Sequence, residues 1–242
     1  MLLFRGRCGW SVPARRLRLY SDRVDNPSHA MERLKGHGNG YAVWRLTHMD
    51  GTESTLKSWP LLFKSLLTLP VGMAQAQRQA RGTRRLLAID VPTPVVVSGP
   101  RCIGLTVQLE LQWIDGCTAL DMLRDGDIDV SVLRAAAVQL GGIISRIATG
   151  GFMHRDLKLS NIIIERGEDG LQPWLIDTVG VRRCMSTSGA VYRMLERVQA
   201  EIRNEPELAG PLRMAVVRAA FRSLPRSTRR AVCRRLRSHR SR

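Results

Sequence analysis

Apolar positions in the first part of the chain fall into short strand-like runs separated by turn residues. Glu32-Arg33-Leu34-Lys35 leads into Gly36-His37-Gly38-Asn39-Gly40-Tyr41, and Ala42 to Thr47 reads as the next strand. Met49-Asp50-Gly51-Thr52 carries the Asp-Gly hairpin signal, and Glu53 to Trp59 is the returning strand. Residues 71–88 predict a helix, Val71 through Leu87, closed at Ile89-Asp90-Val91-Pro92 because the residue before a proline leaves helical space. Pro94 to Val97 and Ile103 to Leu111 read as strands around a Ser98-Gly99-Pro100 turn. Residues 118–126 predict a short helix. From Val130 to Thr149 the positions Val132, Leu133, Ala136, Leu140, Ile143, Ile144 and Ile147 recur at helical spacing, which predicts a core helix stopped by Gly150-Gly151. A further helix is expected from about Val191 to Ile202 after a Ser/Thr/Gly turn, and Pro225 should break the last helical stretch in two.

Composition adds direction to this pattern. A chain of 242 residues with 44% hydrophobic content is globular. It holds 38 Lys and Arg against 21 Asp and Glu, a net charge of +17, which predicts an anionic partner. From Pro211 onward there is no acidic residue, and Arg218, Arg222, Arg226, Arg230 and Arg234 recur every four positions as one basic stripe suited to anionic lipid headgroups. Five widely spaced cysteines with no C-x-x-C make neither a zinc site nor a disulfide framework legible, so a reducing compartment is expected. No apolar run approaches the roughly 18–20 residues of a membrane span, and Arg5 interrupts the apolar start. The expected location is cytoplasmic, peripheral on the inner face of the membrane. Residues 1–28 read as an Arg-rich extension without periodicity.

The candidate chemistry lies in His154-Arg155-Asp156-Leu157-Lys158-Leu159-Ser160-Asn161, followed by Ile162-Ile163-Ile164. This matches the H-R-D-x-x-x-x-N catalytic loop of protein-kinase-like enzymes. Phosphoryl transfer needs an aimed hydroxyl, a proton acceptor and neutralised phosphate charge. Asp156 would take or orient the hydroxyl proton, Lys158 would lie along the moving phosphate, and Asn161 would hold a Mg²⁺. Asp177, at the end of the strand-like Trp174-Leu175-Ile176, supplies the second metal carboxylate. It stands where kinases carry the Asp of D-F-G, with Gly180 one place later than in that triplet. Lys57 stands on the strand that would hold the α/β-phosphates of ATP, with Lys64 as the alternative. Gly36, Gly38 and Gly40 would let backbone N–H groups approach phosphate. Gln112-Trp113-Ile114-Asp115-Gly116 reads as a hinge where adenine would bond backbone groups near Gln112 and Ile114. A kinase carries a Glu on the first helix to pair with the strand lysine, but no acidic residue occurs from Ser54 through Ile89, and Gln77 or Gln79 is the nearest substitute. Arg182 and Arg183 could meet an anionic acceptor.

These residues, with Thr55-Leu56-Lys57-Ser58-Trp59, Val91-Pro92-Thr93-Pro94 and Trp113-Ile114-Asp115-Gly116, resemble the protein-kinase-like superfamily. Within it the chain is similar to the bacterial lipopolysaccharide core-sugar (Kdo/heptose) kinases over about residues 31–225. The resemblance implies an α+β, bilobal protein-kinase-like fold, with a small antiparallel β-sheet N-lobe (29–112) and a mainly helical C-lobe (113–242). It also implies ATP and Mg²⁺ as cofactors, and phosphorylation of a sugar hydroxyl of an anionic lipid-linked glycan. Only about a dozen residues separate Asp177 from the next predicted helix and no Ala-Pro-Glu follows, so the peptide platform of protein kinases is not legible. A Ser/Thr protein kinase and a weakly active or dead kinase-like scaffold are the alternatives. Nucleic-acid binding has only charge behind it, with no recognisable binding motif.

Overall fold

The computed structural model describes residues 30–36, 40–61, 72, 74–124, 128–167, 170–202 and 209–238. The 1–28 extension, Gly38 and Lys64 lie outside them, as does Val71 at the expected start of the first helix. The chain divides into two compact units, residues 1–76 with 95–113, and residues 77–94 with 114–242.

The first unit is a five-stranded antiparallel sheet. Strands β1 (Ala30–Gly36), β2 (Ala42–Thr47), β3 (Glu53–Pro60), β4 (Val96–Ile103) and β5 (Thr106–Gln112) lie in the order β1-β2-β3-β5-β4. The β2–β3 connection turns at Gly51, whose φ of +80° suits a residue without a Cβ. The turn expected at Ser98-Gly99-Pro100 is displaced. Those residues lie within β4, where the pairing with β5 shifts register on either side of Ser98, and the chain reverses at Gly104-Leu105. Gly104 takes the left-handed φ of +54°. Pro100 is tolerated because β4 is an edge strand with register irregularities, where a missing donor costs little.

The second unit is built on helices. They are α1 (Gln75–Leu87), α2 (Ala119–Arg124), α3 (Val130–Thr149), α4 (Thr187–Ile202), α5 (Ala209–Arg222) and α6 (Arg226–Ser238). Two small sheets accompany them: β6 (Cys117–Thr118), β8 (Ile162–Gly167) and β9 (Gly170–Leu175) form one, β7 (Phe152–His154) and β10 (Val181–Arg183) the other. α3 is the core helix expected from its spacing. Its Leu133, Leu140, Ile143, Ile144 and Ile147 are buried, Asp129 caps its start through the Ser131 N–H, and Gly150 closes its end. By length and composition α3 is apolar enough to cross a membrane, yet its apolar stripe is the centre of this unit's core.

Two expected boundaries move. α4 begins at Thr187 rather than near Val191, because the Ser186 hydroxyl accepts the Gly189 N–H at 3.1 Å and starts the helix. The Ser/Thr/Gly run is therefore a cap rather than a free turn. The first helix, assigned from sequence to the N-lobe, groups from Gln77 onward with the second unit. Its buried Gln79, Thr83 and Leu86 bond to or pack against that unit. The break at Pro225 is as expected, between α5 and α6.

Candidate active site

The His154–Asn161 segment leaves β7 and ends in a single 3₁₀ turn, Leu159–Asn161, before β8. Leu157 and Leu159 are buried and anchor the loop, while Asp156 and Lys158 stay accessible. Lys158 Nζ lies 3.1 Å from Asp156 Oδ2, and the two side chains are 41% and 47% exposed. An ion pair so open contributes at most about 1 kcal/mol to stability, so its significance is positional. The Asn161 amide nitrogen donates to the Asp156 carbonyl at 3.1 Å, which leaves the amide oxygen as its candidate ligand atom. The Arg155 N–H bonds the Gly180 carbonyl at 3.1 Å. A Cβ on Gly180 would sit 3.3 Å from the Arg155 and Asp156 nitrogens, so the glycine lets the two segments close up.

Asp177 follows β9, and nearly every peptide around it is held. The Leu175 N–H bonds the Pro92 carbonyl at 3.0 Å and the Leu175 carbonyl accepts from the Thr93 hydroxyl at 2.7 Å. This lays the Val91-Pro92-Thr93-Pro94 segment along the strand end. The Ile176 N–H donates to the Asn161 carbonyl at 3.0 Å, tying the two candidate metal-binding residues together through the backbone. Gln79 then spans Asp177. Its Nε2 donates to the Ile176 carbonyl and its Oε1 accepts from the Thr178 N–H, both at 3.1 Å. The Thr178 hydroxyl donates to the Gln79 carbonyl at 2.8 Å, so the 3.1 Å contact with the Thr83 hydroxyl has Thr83 as donor. The Asp177 side chain accepts from the Val179 N–H through Oδ1 at 3.2 Å.

His154 completes the frame. Its ring is buried, and Nε2 lies 2.6 Å from the Asp177 carbonyl, which can only accept. The proton is therefore on Nε2, while Nδ1 is buried without a partner. Burial holds this imidazole below its ordinary pKa and outweighs the opposing pull of the Asp177 carbonyl and the nearby carboxylates. A neutral His154 ties the loop to the Asp177 segment through that bond.

The other predicted residues lie as follows. Lys57 is buried mid-strand in β3, paired with Val43 on one side and Leu109 on the other. Burial of a lysine between apolar cross-strand neighbours sets it apart from a solvated surface lysine. Gly36 ends β1 opposite Ala42, and Gly40 has φ +83° with Pro60 3.3 Å from its missing Cβ. The Gln112 N–H is already bonded to the Val95 carbonyl at 2.8 Å, so it is not open to adenine. Ile114 is buried at the start of the second unit. Gln79 departs from its expected part, since both ends of its amide are committed to the Asp177 segment.

Sequence reasoning missed Glu201. Both its oxygens hold the Leu159–Asn161 turn: one carboxylate oxygen accepts the Leu159 N–H and the other accepts the Ser160 hydroxyl at 3.2 Å. Nothing local to the end of α4 signals this, because the partners lie some forty positions away. Gly82 did carry a signal. A glycine inside a helix marks a close approach, and a Cβ there would stand 2.1 Å from the Thr178 carbonyl.

The donor set suits Mg²⁺, since Asn161 and Asp177 offer hard oxygens and this ion keeps several waters. Among the described residues no group of three or more His, Cys, Asp or Glu gathers as a metal cluster, which such an Asn–Asp pair does not require. A search of curated proteins finds no match to this chain. The profile of the lipopolysaccharide kinase (Kdo/WaaP) family matches residues 22–187, a span containing His154–Asn161 and Asp177. With that match over more than half its length, the chain belongs to the lipopolysaccharide kinase (Kdo/WaaP) family and is a kinase.

Proposed function

We propose that this kinase moves the γ-phosphate of ATP to a hydroxyl of a sugar in a lipopolysaccharide-type glycolipid core. The observation that carries the reading is the frame uniting Asp156, Asn161 and Asp177: Asn161 bonds the Asp156 carbonyl with its side chain and receives the Ile176 N–H on its own carbonyl. Preorganised groups of this kind cost no rearrangement when charge develops. Asp156 accepts the acceptor's hydroxyl proton as its oxygen bonds to the γ-phosphorus. The bond from that phosphorus to the β,γ-bridging oxygen breaks, and ADP leaves. Lys158, beside Asp156, faces the charge on the phosphoryl oxygens. Asn161 and Asp177 would hold Mg²⁺, which supplies charge neutralisation at the phosphates. In the first unit, Lys57 and the Gly36–Gly40 backbone are the candidates for phosphate contacts. The hinge bonds to adenine fall to backbone groups near Gln112 and Ile114, the committed Gln112 N–H excepted.

The test is transfer of labelled phosphate from ATP to purified core glycolipid, run beside a generic protein substrate. The expected result is glycolipid labelling that Asp156→Ala abolishes without altering the thermal melt. Asp177→Asn should remove Mg²⁺-dependent ATP binding in calorimetry. Labelling that survives Asp156→Ala within a few-fold would remove the assigned base. Labelling of protein alone would move the acceptor to peptide, and no turnover at all would leave a scaffold, the reading favoured by the lack of a Glu on α1.

A further inference from the structure

We propose that the outward faces of α5 and α6 form a docking surface for an anionic lipid bilayer. On α6 Val232 is fully buried. At 100° per residue, Arg226, Arg230, Arg234 and Arg237 fall within a sector of roughly 80° centred nearly opposite it. All four are exposed. No acidic residue occurs from Pro211 to the end of the sequence, so the helix carries no charge of its own to neutralise them. Arg229 is differently used: its Nε caps the Leu224 carbonyl at 2.7 Å.

α5 adds the observation that favours lipid over a polyanion such as nucleic acid. Its inward face is Leu212, Val216, Ala219 and Ala220, all buried. On its outward side Met214, 48% exposed, lies one turn from the exposed Arg218. An apolar side chain one turn from a guanidinium fits the boundary between headgroups and acyl chains, where methylene burial and charge attraction act together. A phosphodiester backbone would meet the arginines and gain nothing from Met214.

α6 packs on α4, where Arg235 lies against Gly189 and near Tyr192. The far end of α4 carries Glu201, which holds the Leu159–Asn161 turn. The surface and the loop therefore share one helix as scaffold. That docking serves a lipid-borne acceptor rests on the function proposed above; lipid binding itself does not.

The experiment is sedimentation of the full chain with vesicles of phosphatidylcholine containing about one-third phosphatidylglycerol, against vesicles of phosphatidylcholine alone. Binding to the anionic vesicles only is expected. The variant Arg226→Gln, Arg230→Gln, Arg234→Gln, Arg237→Gln should lower partitioning on the order of a hundredfold or more. The same four positions changed to Lys should bind within a few-fold of the parent, which guards against loss of fold. Met214→Ser should weaken binding a few-fold with charge unchanged. Equal partitioning of the Gln variant, or a stronger preference for duplex oligonucleotide at matched phosphate concentration, would overturn the proposal. Vesicle binding that persists where glycolipid labelling fails would leave the surface standing and remove only its acceptor.

Discussion

At the residue scale, the site turns on Gln79. In protein kinases a helix Glu pairs with the strand lysine, which makes Gln79→Glu look like a repair. The hydrogen bonds say otherwise. A carboxylate could still accept the Thr178 N–H, but it could not donate to the Ile176 carbonyl. It would set a negative oxygen against that carbonyl, one residue from Asp177. Losing that part-buried hydrogen bond costs about 0.5–1.5 kcal/mol. Gln79→Glu should therefore lower stability to chemical denaturation by that amount and slow ATP turnover. A variant as stable as the parent with faster turnover would show that the amide's bonds matter less than the charge at this position. The sequence made Gln79 visible only as a gap in a motif; its bonding partners are about a hundred positions away.

At the element scale, packing is set by where backbones approach. α3 and α5 cross at Gly141, where a Cβ would lie 2.4 Å from the Val216 carbonyl and 2.6 Å from the Ala219 Cβ. The next residue, Gly142, has nothing within 4 Å of the same position. Alanine normally stabilises a helix interior over glycine by up to about 1 kcal/mol. Gly142→Ala should follow that rule and raise the melting temperature. Gly141→Ala should reverse it, with a loss of roughly 1–3 kcal/mol from overpacking. If both variants shift the melt in the same direction, the close crossing is not the constraint. The pair of glycines is legible in sequence, but only the helix crossing assigns them opposite signs. The same limit explains the moved turn in β4 and the earlier start of α4. Ser, Gly and Pro mark irregular backbone, while an edge strand or a helix cap decides what form it takes.

At the scale of the whole molecule, two effects make acid destabilising. The chain already carries +17, and protonating carboxylates adds to its self-repulsion. His154 adds a specific contribution. Burial keeps its folded pKa below the ordinary value near 6.5, which the unfolded chain retains. Between those two values the unfolded state binds more protons, so stability falls as pH drops below about 6.5. Replacing His154 with Gln should flatten the pH dependence of the melting temperature from neutral towards pH 5.5, even if the absolute melting temperature falls. An unchanged slope would mean that net charge alone governs acid unfolding.

The sequence by itself determined the place of the His154–Asn161 loop between two strands, the strand-end position of Asp177, the core helix α3 and the family, because these depend on local spacing and residue type. Periodicity and short motifs are properties of neighbouring residues. The tertiary structure decided what orders the site: Gln79 and Thr83 on one side of Asp177, His154 behind it, and Glu201 at the Leu159–Asn161 turn. Each of those contacts joins residues distant along the chain, and a buried hydrogen bond between distant residues exists only once folding has removed water from both partners.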